Sequence, residues 1–167
     1  MNKKGQTPGD VILLISMLGM LAIGGLVSVL IANSVYDAAA ETPPLNESTK
    51  VMEMFESSKT VANKWDYVIT FLLIGFAIAL IIIGYFIDVH TVFLPLFILM
   101  LLIGLIVVVA VSYAWDQVAN TTTFTAIKTA SFPITDHLMN NLAIYYTIIG
   151  AMSLVATYAK TRNENAI

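Results

Sequence analysis

The chain has 167 residues, of which 58% are hydrophobic and 11% charged, with a formal net charge of −3 and no cysteine. A soluble domain carries about a quarter charged residues, so this balance points to a single membrane domain. The charge offers no basic field for nucleic acid. The lack of cysteine excludes disulfides, thiol nucleophiles and cysteine-based metal sites.

After the tail Met1–Asp10, an uncharged run covers Val11–Ala32. It exceeds the ~7–15 residues of a signal-peptide core, and no small-x-small cleavage site precedes the charged loop. An uncleaved transmembrane helix over 11–32 is expected. The tail residues Lys3-Lys4-Gly5-Gln6, with Asp10 five places after Gly5, resemble the start of archaeal pilin-type precursors. That resemblance implies peptidase cleavage after the glycine and an archaeal or archaeal-virus origin. It covers about ten residues, Pro8 and Gly9 stand where that family's apolar segment begins, and three further spans depart from the pilin pattern. As a whole the chain is similar to small multi-span membrane proteins of archaeal viruses and phages.

Gly24, Ser28 and Ala32 recur every four residues in the first span. Small residues at that spacing form one stripe against which another helix can pack closely. Gly75/Ala79 and Thr147/Ala151 are shorter pairs of the same kind. Nothing breaks the helix before Thr42-Pro43-Pro44, so it is expected to project past the membrane to Glu41. Beyond the turn, with Asn46 or Ser48 as cap, an amphipathic helix is expected over 47–66. Val51, Met54, Phe55, Ser58, Ala62 and Trp65 fall on one side of it. An upright pairing with the first helix is preferred to a position flat on the lipid, because basic residues do not dominate its polar face.

Two apolar runs follow, Tyr67–Ile87 and Val92–Trp115, joined by Asp88-Val89-His90-Thr91. Each matches the ~20 residues needed to cross a bilayer. The short link implies an antiparallel hairpin of neighbouring helices, with Pro95 tolerated in the first turn. Asp88 and His90 lack a third ligand for a metal. The next loop, Asp116–Asn141, is expected to hold a short helix over Thr121–Ala130, with Phe124 and Ile127 turned inward and a break at Ser131-Phe132-Pro133. Thr135 or Asp136 then caps a last helix over 135–160, which crosses the membrane over 142–159. Asp136-His137 makes no triad, because no activated serine accompanies it.

The fold class is therefore an all-α integral membrane protein of four transmembrane helices, with helices extending into the outer loops. The tails carry Lys3, Lys4, Lys160 and Arg162 at higher density than the loops carry Lys50, Lys59, Lys64 and Lys128. The positive-inside rule then places both termini in the cytoplasm, in a cell or virion membrane. Tyr36, Trp65, Tyr67, Tyr113, Trp115, Tyr145 and Tyr146 are expected at the outer boundary, and Tyr85, Phe86, Phe93 and Tyr158 at the inner one. The sequons at Asn46 and Asn120 fall in the outer loops. Asp37, Glu41, Glu47, Glu53, Glu56, Asp66, Asp116 and Asp136 are expected to make that side acidic.

No ionisable residue lies at depth in the spans, and no paired Gly/Pro interruption of the kind that builds a transport site is present. No catalytic, metal or cofactor residues are assigned, and the chain is not expected to be an enzyme. The expected role is a structural or accessory membrane subunit of a larger assembly, with a virion membrane protein as one form. A protein partner is expected on the outer loops, contacting Phe55, Phe124 and Phe132, with a homo-oligomer as a further possibility. The alternatives are an oligomeric pore of holin type and, behind it, an enzyme or transporter.

Overall fold

The computed structural model describes residues 8–86 and 94–164. Among them are the helices α1 (Pro8–Glu41), α2 (Thr49–Ala62), α3 (Trp65–Phe86), α4 (Leu94–Ala119), α5 (Thr122–Ser131), α6 (Pro133–Asn140) and α7 (Leu142–Glu164), and no strand. The tail Lys3-Lys4-Gly5-Gln6 and the link Asp88-Val89-His90-Thr91 lie outside the described residues. Three stretches are long and apolar enough to cross a membrane, within Leu13–Glu41, Thr49–Ile82 and Pro95–Ala119. The bent pair α6–α7 makes a fourth if counted as one span.

The all-helical reading with up to four such spans agrees with the sequence, but the arrangement of the hairpin does not. α1 packs on α4, α4 on α7, α7 on α3, and α3 back on α1. That closes a four-sided bundle in which α3 and α4 stand on a diagonal rather than side by side. Residues 87–93 separate these helices, and seven residues can reach up to ~23 Å. The diagonal of a bundle with ~9 Å between neighbouring axes is shorter than that. A short link therefore fixes antiparallel direction without fixing contact.

α1 runs roughly 50 Å at 1.5 Å per residue. Pro8 opens it, where the missing N–H costs nothing. At its far end the Thr42 hydroxyl and amide donate to the Ala38 and Ala39 carbonyls, which closes the last turn before the prolines. Its buried side is Ile15, Ala22, Leu26 and Val29, at three- and four-residue steps, with Gly19 on the same line. Gly19 lies against Val111 of α4 closely enough that a methyl group there would force the valine to move. α2 runs antiparallel to the C-terminal part of α1. Lys59 sits 4.4 Å over the Tyr36 ring and 4.0 Å from Asp37, and Ala32, Ala62 and Trp65 meet in the core. This is the pairing preferred from the sequence.

The last predicted helix, 135–160, is broken. α6 and α7 meet at Asn141 with a bend of 68°. A sharp break strands carbonyls unless something else donates to them. Here the Asn141 amide side chain donates to the His137 carbonyl at 2.9 Å, and Ser112 of α4 donates to the Met139 carbonyl at 2.7 Å. α6 thus folds across one end of the bundle. With α2, α5 and the extension of α1 it forms a crown there.

Candidate functional site

Among the described residues, Ser153 of α7 donates to the Leu80 carbonyl of α3 at 3.4 Å within the bundle, while most of the side-chain hydrogen bonds that join different helices lie at the crown. The one that organises α6 comes from α3. Phe132 stands at the N-cap of α6, and its side chain cannot accept a hydrogen bond. Asp66 supplies the acceptor from 68 and 69 residues away, taking the amide of Ile134 at 3.2 Å and that of Thr135 at 2.7 Å. Asp66 is 4% exposed. Two backbone donors and the positive end of the helix compensate its burial. Ser131 adds a second tie between the same segments by donating to Asn63 at 2.8 Å.

A second cluster joins α4 to α5 and α6. The Trp115 indole donates to Asp136 at 3.0 Å, and Asn140 donates to the same oxygen at 3.2 Å. Lys128 stands 3.7 Å from Asp136 and donates to Asn120 at 2.6 Å. His137 and Tyr145 are partners at 3.1 Å across the elbow. Apart from the Asn140–Asp136 bond, which lies within α6, these contacts hold one element of the chain to another. Among the described residues no group of three or more His, Cys, Asp or Glu is placed to hold a metal ion.

These contacts correct several expectations. Asp66 is not part of an acidic surface, and it caps α6 in place of Thr135 or Asp136. Trp115 and Tyr146 are buried in the core rather than placed in a boundary belt. Phe132 is fully buried, packed against Gly25, Ile69 and the tilted ring of Trp115, so it cannot meet a partner. Phe124 and Ile127 of α5 do turn inward onto the core. Phe55 is half-buried on α2, at the edge of a groove between α1 and α2.

That groove is also where the small-residue stripe lies. Gly24, Ser28 and Ala32 line it, and nothing approaches within 4 Å of where a Gly24 Cβ would stand. Gly24 and Ser28 are each two residues from the buried Leu26, hence about 200° around the helix from the core. The shorter pairs fare similarly. Gly75 has open space beside it, Thr147 is exposed and donates to the Ala143 carbonyl of its own helix, Ala151 is exposed, and Ala79 is half-buried. Within the chain the close approaches are elsewhere. At Gly104 the Tyr146 hydroxyl occupies the space of a side chain, and Gly150 receives Leu101.

Beneath the crown is a cavity of about 250 Å³. Its wall includes Ile15 and Leu18 of α1, Leu73 and Phe76 of α3, and Leu142 and Tyr146 of α7, with Val108 from α4. α6 roofs it with Leu138 and Met139. The sequence carries no sign of it, because the wall is built from aliphatic residues indistinguishable from any other span residues.

No known protein family, curated protein or solved structure matches this chain. The site is therefore read from its own geometry.

Proposed function

We propose that this chain is a structural or accessory subunit of a membrane assembly, with the bundle in the bilayer and the crown as its docking platform. The observation that carries the reading is the division of surface between the two parts. The bundle helices present large apolar side chains outward, Phe71 at 76% and Ile106 at 71% exposure among them. Apolar patches of that extent need lipid or protein to cover them. The crown holds the exposed acids Asp37, Glu41, Glu47, Glu53, Glu56 and Asp116, against Lys50 and Lys64 as its exposed lysines. Asp66 and the Trp115–Asp136 pair hold its helices in fixed positions.

A rigid acidic platform suits a basic protein surface, with charge steering the encounter and apolar side chains supplying affinity. Phe55 remains a contact candidate, and the exposed Met54 and Val61 of α2 join it. The density of Lys and Arg in the tails supports a cytoplasmic placement of both termini and an outward crown. The resemblance of Lys3-Lys4-Gly5-Gln6 to archaeal pilin-type precursors supports an archaeal or viral membrane as its setting.

The test is purification from the native membrane in mild detergent. A partner retained at fixed stoichiometry, and released when Glu53 and Glu56 are changed to lysine, supports the reading. Purification with no partner, together with ion conductance in liposomes, replaces it with a pore.

A further inference from the structure

We infer that the cavity beneath the crown is a binding site for the end of one hydrocarbon chain of a membrane lipid. The assignment rests on the membrane reading above. The cavity, about 250 Å³, exceeds by well over half the engineered apolar cavity of roughly 150 Å³ that stays dry and binds benzene. Water needs two or more polar partners to occupy such a space. The wall offers aliphatic groups and the rings of Phe76, Tyr145 and Tyr146, and the Tyr145 hydroxyl is engaged with His137. Water is therefore a poor occupant.

The mouth identifies the occupant. Ile74 belongs to the cavity wall and is also 53% exposed on the outside of α3. It continues the exposed row Phe71, Ile78 and Ile82, which follows one face of the helix. The cavity thus opens into the belt of apolar side chains that lipid would cover, and the medium at its entrance is hydrocarbon. Its other end is roofed by Leu138 and Met139 of the bent α6. A chain end entering past Ile74 meets an almost wholly apolar pocket, a lining that suits a flexible alkyl terminus and offers a polar headgroup little to bond.

The experiment uses the full chain in phosphatidylcholine vesicles containing a lipid with a photoactivatable diazirine at the end of one acyl chain. Labelled positions are then mapped by mass spectrometry. Insertion at the inward residues Leu73, Ala77 and Leu142 is expected, and excess unlabelled lipid should compete it away. Labelling at the outward residues Phe71 and Ile106 should rise with lipid without saturating. Ala77→Phe, which fills the cavity, should abolish labelling at Leu142 and leave Ile106 unchanged. Competition in the unaltered protein gives the same answer independently of how that variant folds. Labelling confined to Phe71 and Ile106 would overturn the assignment while leaving the membrane reading intact. Absence of label at Phe71 and Ile106 as well would overturn both.

Discussion

Replacing Asp66 should unfasten α6 from the bundle. The carboxylate accepts from two backbone amides at 3.2 and 2.7 Å in a place with 4% exposure. A hydrogen bond to a charged group contributes ~1.5–3 kcal/mol, and a buried donor left alone costs a similar amount. Asp66→Ala strands both amides and should destabilise the protein by about 3–5 kcal/mol. Asp66→Asn keeps one carbonyl acceptor but turns an NH₂ toward the other amide, so roughly half that loss is expected. Unfolding by denaturing detergent measures the total. Hydrogen exchange at Ile134 and Thr135 locates it, since these amides should exchange faster in both variants while those of mid-α4 keep their protection. Unchanged exchange at Ile134 and Thr135 in Asp66→Ala would refute the cap.

Gly104→Ala places a methyl group where the Tyr146 hydroxyl lies, and should lower stability by ~1–3 kcal/mol through overpacking. Gly24→Ala meets nothing and should leave the monomer unchanged or up to ~1 kcal/mol more stable from helix propensity; equal effects in detergent unfolding would contradict the packing described. Trp115→Phe removes the indole bond to Asp136 and some buried volume, and should cost about 2–4 kcal/mol by the same measurement. Cysteines placed at Thr42 or Thr122 should react with an impermeant thiol reagent on intact cells, while cysteines at Thr7 or Asn165 stay shielded; the reverse pattern would invert the orientation.

What was legible in the sequence was what depends on runs and breakers. The apolar stretches, the stop at Thr42-Pro43-Pro44, the amphipathic α2 and the inward side of α5 follow from local chemistry. The rest depends on partners far apart in the chain. Asp66, between Trp65 and Tyr67, reads as an ordinary boundary acid. Its role follows only once Phe132 is seen to leave α6 without a cap of its own. Asn140-Asn141 was a usable turn signal for the bend, but its 68° depends on Asp66 and Ser112 holding the two ends of α6. The stripe at Gly24, Ser28 and Ala32 shows the limit of spacing as a guide: Ala32 packs onto the core beside Ala62, but Gly24 lies open, and the neighbouring line of Ile15, Gly19, Ala22 and Leu26 is the buried one. The diagonal placement of α3 and α4 depends on how α1 and α7 insert between them, which no local pattern encodes.

The central claim is that the crown binds a partner, and crosslinking mass spectrometry on the native membrane tests it most directly. Lys50 and Lys64 are the exposed reporters, Lys64 lying 5.6 Å over the Tyr67 ring, whereas the half-buried Lys128 is engaged with Asn120 and Asp136 and the half-buried Lys59 with Asp37 and Tyr36. The account predicts crosslinks from Lys50 and Lys64 to basic segments of one recurrent protein, lost when Glu53 and Glu56 are changed to lysine. Links from these lysines only to other copies of the same chain, unaffected by the charge reversal, would contradict it.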